Sequence, residues 1–91
     1  MGETRVMNRK WQAFDVYIGR GSLFGNPYYI GKDGTRSEVI EKYRAWFKRK
    51  VANERGFKDA LESLRGKRLG CYCKPLACHG DVIVEYLNAT K

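Results

Sequence analysis

The chain has 91 residues, 43% of them hydrophobic and 31% charged, enough for one globular domain with a single modest core and too structured in composition for a disordered tail. Eighteen Lys and Arg against ten Asp and Glu give a net charge of +8, which favours an anionic partner: a phosphate-bearing small molecule, a nucleotide, or nucleic acid. Three cysteines do not make a disulfide framework, and no apolar run approaches the roughly 18–20 residues of a membrane span. With no signal-peptide pattern, and with Val6 where myristoylation needs Ser or Thr, the expected location is the cytoplasm, without a membrane partner.

In chain order, Met1 to Thr4 are expected to fray, and Arg5 to Trp11 is a weak strand candidate among basic neighbours. Phe14 to Ile18 is rich in β-branched and aromatic residues and ends at Gly19, the signature of a strand. The next nine residues, Gly19 to Pro27, hold three glycines and a proline, as a loop of unusual backbone geometry or close backbone approach does. Tyr28 to Ile30 reads as a short extended piece, and Lys32-Asp33-Gly34 as a turn.

Thr35 and Glu38 then fit a capping box, followed by apolar residues at Val39, Ile40, Tyr43, Trp46, Phe47 and Val51, a helical stripe. Arg44, Lys48, Arg49 and Lys50 crowd the far side and the end, where cations suit the helix dipole. Gly56 is expected to punctuate. A second helix places Phe57, Ala60, Leu61 and Leu64 on one face and stops at Gly66. Arg68 to Cys73 reads as a strand, and about His79 to Ala89 as the last helix, with Val82, Ile83, Tyr86 and Leu87 inward.

The fold class is therefore α/β: a single small domain, a short, mostly parallel sheet in β-β-α-α-β-α order, and helices packed on it. Parallel strands at Phe14 to Ile18 and Arg68 to Cys73 would end on the same sheet edge, where open α/β sheets bind ligands. The glycine loop leaves one strand and the sequence Cys71-Tyr72-Cys73-Lys74-Pro75-Leu76-Ala77-Cys78-His79-Gly80-Asp81 leaves the other, so two chemically unusual loops are expected to form one cleft.

Three chemistries suit that cleft. For an anion, Gly19, Arg20, Gly21, Ser22 and Asn26 from the first loop face Lys74 and the Gly80 amide from the second, at a helix start where free amides and the dipole favour negative charge. For catalysis, Cys73 or Cys78 can carry a thiolate, His79 can act as acid or base, and Asp81 can orient it or activate water. Asp81 also suits a helix's first turn for dipole reasons alone. For metal, Cys71, Cys73, Cys78 and His79 are four zinc donors within nine residues, but their C-x-C-x4-C-H spacing is not the C-x2-C knuckle of common structural sites. Cys71 equally suits a small core position. Phe24, Tyr28 and Tyr72 flank the loops, where an aromatic can stack on a base.

The stretches Asp15-Val16-Tyr17-Ile18-Gly19-Arg20-Gly21-Ser22, Phe24-Gly25-Asn26-Pro27, Gly34-Thr35-Arg36, Leu69-Gly70-Cys71-Tyr72-Cys73-Lys74-Pro75 and Cys78-His79-Gly80-Asp81 together resemble the domain of unknown function 4326 family. The resemblance covers about Val16 to Leu87 and implies a small intracellular protein of a kind frequent in phage and bacterial genomes. It implies domain extent and site location, and no particular reaction. The expectation is a domain that binds a phosphate-bearing nucleotide or similar anion between the two loops, with or without turnover. The alternatives are a zinc-stabilised nucleic-acid-binding module, and a phage protein that engages a host factor through the helix face around Arg44, Lys48 and Arg49. Neither the oligomeric state nor the ligand's identity follows from the sequence.

Overall fold

A computed structural model describes residues 4–10, 12–71, 76 and 78–89. Three short strands form a wholly parallel sheet: β1 (Arg5–Asn8) and β2 (Val16–Tyr17) flank β3 (Arg68–Cys71). Val6 and Val16 both stand opposite Leu69, and Met7 and Tyr17 opposite Gly70. The candidate strand at Arg5 to Trp11 is thus a true strand, shortened to β1. The one expected from Phe14 to Ile18 keeps only its Val16–Tyr17 centre.

The reason lies in how β1 reaches β2. The chain must cross β3, yet the register sets it back only from the level of Cys71 to that of Leu69, about 7 Å at roughly 3.3 Å per residue. The described part of the connection, residues 9–10 and 12–15, contains no helix. It lays the Phe14 ring on β3, where a Cβ on Gly70 would meet it at 2.6 Å. Gly70 has no side chain because Phe14 occupies that space, and Phe14 covers a sheet face instead of lengthening β2. Asp15 closes the crossing by accepting the Arg68 amide and pairing with its guanidinium at 3.0 Å.

The opposite face of β3 carries Leu69 and Cys71 into the main core. Helix α1 (Arg36–Asn53) opens with the expected capping box: Thr35 Oγ1 accepts the Glu38 amide, and Glu38 Oε1 accepts the Thr35 amide. Val39, Tyr43 and Phe47, one turn apart, are its buried residues. Helix α2 (Arg55–Glu62) follows after a single extended residue, Glu54, at φ −125° and ψ 101°. Gly56 therefore does not punctuate; it sits inside α2. At 100° per residue Phe57 and Leu61 fall on the same stripe as Val39 and Tyr43, and the break at Glu54 turns the helix axis so that they enter the same core as Tyr43 and Phe47. Gly66, at φ +74°, ends the turn that leads into β3.

Helix α3 (Gly80–Ala89) buries Val82, Ile83 and Leu87 against that core. At its far end Asn88 brackets Thr4, accepting from its amide at 3.2 Å and donating to its carbonyl at 3.1 Å. Thr4 is consequently buried and not frayed; Met1, Gly2 and Glu3 lie outside the described residues. Tyr28 to Ile30, expected to be extended, form bends and turns instead, because Tyr29 and Asp33 hold each other through two hydrogen bonds of 2.8 Å. Among the described residues no helix is long and apolar enough to cross a membrane.

Candidate functional site

Because β2 and β3 are parallel, the segments that follow them emerge on one edge of the sheet. Ile18, just past β2, presents its carbonyl to His79, just before α3. The Nε2 of His79 lies 2.7 Å from that oxygen, so Nε2 carries the proton and donates it. The His79 ring also packs edge-on against Tyr43, with centroids 5.1 Å apart. Tyr43 in turn donates its hydroxyl to the Phe24 carbonyl at 2.8 Å. Burial and the neighbouring Cys78 push the Tyr43 phenol well above its usual pKa, which keeps it a donor. Asn26 adds a second tie to α1, its Nδ2 donating to the Val39 carbonyl at 3.3 Å. The glycine loop is fastened to α1 and α3 by the same side chains that bring the two loops together.

Between them lies a cavity of about 60 Å³, lined by Arg20, Asn26, Arg36, Cys78 and His79, with Ile30 and Ile40 among its apolar walls. None of the described residues lining it is acidic. A second hollow, of about 220 Å³ and more open, continues from it over Gly21, Ser22 and Tyr29, and the two share Arg20 and Asn26. The expected meeting of Arg20, Asn26, Cys78 and His79 is therefore present. Arg36 joins them, a residue marked in the sequence by its place beside a capping box and within the Gly34-Thr35-Arg36 stretch, and not as a ligand-binding cation. An arginine at the first helical position, directly after Thr35, points to a loop-facing cation only once the loop's path is known.

Several of these side chains are engaged within the loops themselves. Arg20 donates from Nη1 to the Asn26 carbonyl at 2.6 Å and from Nη2 to the Tyr28 carbonyl at 3.1 Å, committing two of its five N–H donors. Ser22 Oγ donates to the Gly19 carbonyl at 2.6 Å, and Asn26 Oδ1 accepts the Tyr28 amide at 2.9 Å. Gly25 is required where it stands: a Cβ there would meet the Gly19 carbonyl oxygen at 2.8 Å and Arg20 Cα at 3.2 Å. Gly21 sits at φ +90° with open space beside it. Gly80 lets α3 start directly over the sheet, since a Cβ would meet Ile18 at 2.7 Å and Val6 at 3.0 Å.

The sulfur chemistry is concentrated at Cys78. Its Sγ lies 2.9 Å from that of Cys71, accepts the Gly80 amide at 3.3 Å, and stands 3.7 Å from His79 Nδ1. The Gly80 amide, expected to face an anion, thus faces a thiol. Asp81 accepts the Cys78 amide through Oδ2 at 3.0 Å, the role of an acidic residue in a helix's first turn. Cys71 is a buried core residue. Cys73 and Lys74, expected as nucleophile and ligand-binding cation, lie outside the described residues, as do Trp11 and Tyr72. Among the described residues no group of three or more His, Cys, Asp or Glu is arranged to hold a metal ion; the fourth expected zinc donor, Cys73, is not among them.

The sequence model of a family described as "Domain of unknown function (DUF4326)" matches residues 3–89. The chain belongs to this family. A relative from Enterobacteria phage T4, described as an uncharacterized 12.4 kDa protein in the nrdA-td intergenic region, is 47% identical over 85 residues, covering 92% of this chain and 77% of the relative. No solved structure matches. The helix face around Arg44, Lys48 and Arg49 has part of its charge met internally: Arg44 pairs with Glu41 at 2.9 Å and Glu85 at 3.1 Å.

Proposed function

We propose that this DUF4326 domain is a cytoplasmic protein that binds a phosphate-bearing ligand, such as a nucleotide, in the cleft between the glycine loop and the start of α3. The observation that carries this reading is the pairing of Arg20 and Arg36 around one small cavity with Asn26 and no acidic residue among the described residues lining it. Two guanidinium groups beside a confined space suit an anion that accepts several hydrogen bonds at once. The cavity's volume of about 60 Å³ suits a phosphoryl group and not a whole nucleotide, since pockets for drug-sized ligands run to roughly 300–1,000 Å³. The rest of the ligand would lie over the open hollow beside it. The overall charge of +8 raises the local concentration of such ligands.

Titration calorimetry with inorganic phosphate and with a mixture of nucleoside monophosphates tests the reading. Binding that falls at least tenfold in Arg36→Gln, with an unchanged melting temperature, supports it. Equal binding by that variant removes it. Turnover is a separate proposal, resting on Cys78 and His79 at the cavity wall. Release of phosphate from a bound nucleotide by the wild type but not by Cys78→Ser would support it.

A further inference from the structure

We infer that the open hollow beside the cavity seats the nucleobase of a nucleoside phosphate, with Tyr29 as its stacking floor. This rests on the reading of the cavity as a phosphate site and goes further, because it separates nucleotides from inorganic phosphate and from sugar phosphates. The residue Tyr29 is 50% exposed, and the Arg20 guanidinium covers one face of its ring at 3.9 Å from the centroid, leaving one face for a base. The ring is held ready before any ligand arrives. Tyr29 is pinned through its backbone to Asp33, while Arg20 is pinned to the Asn26 and Tyr28 carbonyls. A flat platform of this kind costs little further ordering when a planar ligand lands on it.

A second, independent observation points the same way. The strongly exposed large apolar side chains among the described residues are Leu23, Tyr29, Ile30 and Leu76. Tyr29 lines the hollow and Ile30 the cavity beside it, Leu23 and Leu76 lie in the two loop segments, and the helices contribute none. A site for phosphate alone has no use for apolar surface, whereas a nucleobase presents two π-faces. The hollow of about 220 Å³ touches the phosphate cavity at Arg20 and Asn26, so a ligand anchored there reaches Tyr29 without leaving the surface. Stacking is tolerant of base identity, so the platform predicts weak discrimination among the bases.

The test titrates the full chain with inorganic phosphate, ribose phosphate and the nucleoside monophosphates, following affinity by calorimetry and the Tyr29 ring protons by NMR. Each nucleoside monophosphate should bind at least about fivefold tighter than ribose phosphate, the lower end of what one stacked base contributes. Tyr29→Ala should abolish that advantage, read as the ratio of nucleotide to ribose phosphate affinity within the variant, Tyr29→Trp should retain it, and ring-current shifts should appear at Tyr29 only with the nucleotides. If ribose phosphate and the nucleotides bind alike, or if Tyr29→Ala keeps the nucleotide preference, the platform is wrong and the phosphate cavity stands. If phosphate itself does not bind, the underlying reading falls and this one falls with it.

Discussion

His79 is the fastener between α3 and the end of β2, and three substitutions isolate what its hydrogen bond is worth. The ring is buried and its Nε2–H meets the Ile18 carbonyl at 2.7 Å. His79→Ala removes a buried aromatic ring, and cuts of that size cost about 3–5 kcal/mol. Part of that cost, about 1–3 kcal/mol, is the Ile18 carbonyl left without its donor. His79→Gln places an amide N–H near the position of Nε2, whereas His79→Asn reaches only the position of Nδ1. With about 4–8 °C of melting temperature per kcal/mol for a domain of this size, Ala should melt at least about 12 °C below wild type. Gln should recover at least about 4 °C of that loss, and Asn should stay close to Ala. Thermal melts followed by circular dichroism, with urea m-values to confirm that unfolding exposes the same surface, give the answer. Equal melting of Gln and Ala, or Asn above Gln, would refute the hydrogen bond as the fastener.

Three other outcomes follow from the packing. The Asp15 carboxyl is lowered to about 2 by its hydrogen bonds from the Arg68 guanidinium and amide, so this carboxylate supports folding above about pH 4, and the support is lost as the pH falls toward 2. Urea midpoints of Asp15→Asn should accordingly change less than those of the wild type between pH 4 and 2; parallel curves would dismiss the pair. Gly56 lies inside α2 with nothing within 4 Å of the place a methyl group would take, so Gly56→Ala should raise stability by about 0.5–1 kcal/mol, visible as a higher melting temperature. A drop would show that Gly56, not Glu54, is the break. Gly70→Ala drives a Cβ into the Phe14 ring and should cost about 1–3 kcal/mol, with much of that loss relieved in Gly70→Ala/Phe14→Leu; strict additivity in that cycle would contradict the contact.

Local signals were legible where one residue type has one use. Thr35 and Glu38 marked the start of α1, and the stripe from Val39 to Phe47 marked its buried face. The parallel relation of β2 and β3 followed from the helices between them and brought Arg20 and His79 to one cavity. What stayed hidden depends on tertiary contact. Phe14 has strand-like neighbours, and only the crossing of β3 turns it into a cover for Gly70. Gly56 looked like the natural helix break, yet the break that turns Phe57 and Leu61 into the core lies at Glu54. At the cleft, the residue types suited an anion, but donors that suit an anion equally suit backbone carbonyls. Arg20 and Ser22 spend part of their capacity on their own loop, and the Gly80 amide faces the Cys78 sulfur. Composition names the available chemistry; the chain's path decides where each donor points.

An anion is proposed to sit between Arg20 and Arg36 at the edge shared by the two loops. The most direct measurement is an NMR titration of isotopically labelled protein with inorganic phosphate, recording backbone amide and arginine side-chain shifts together. Saturable shifts centred on Gly21, Asn26, His79 and the Arg20 and Arg36 guanidinium groups are the predicted result. Shifts centred instead on Arg44, Lys48 and Arg49, or weak non-saturating changes spread over every lysine and arginine, would contradict it.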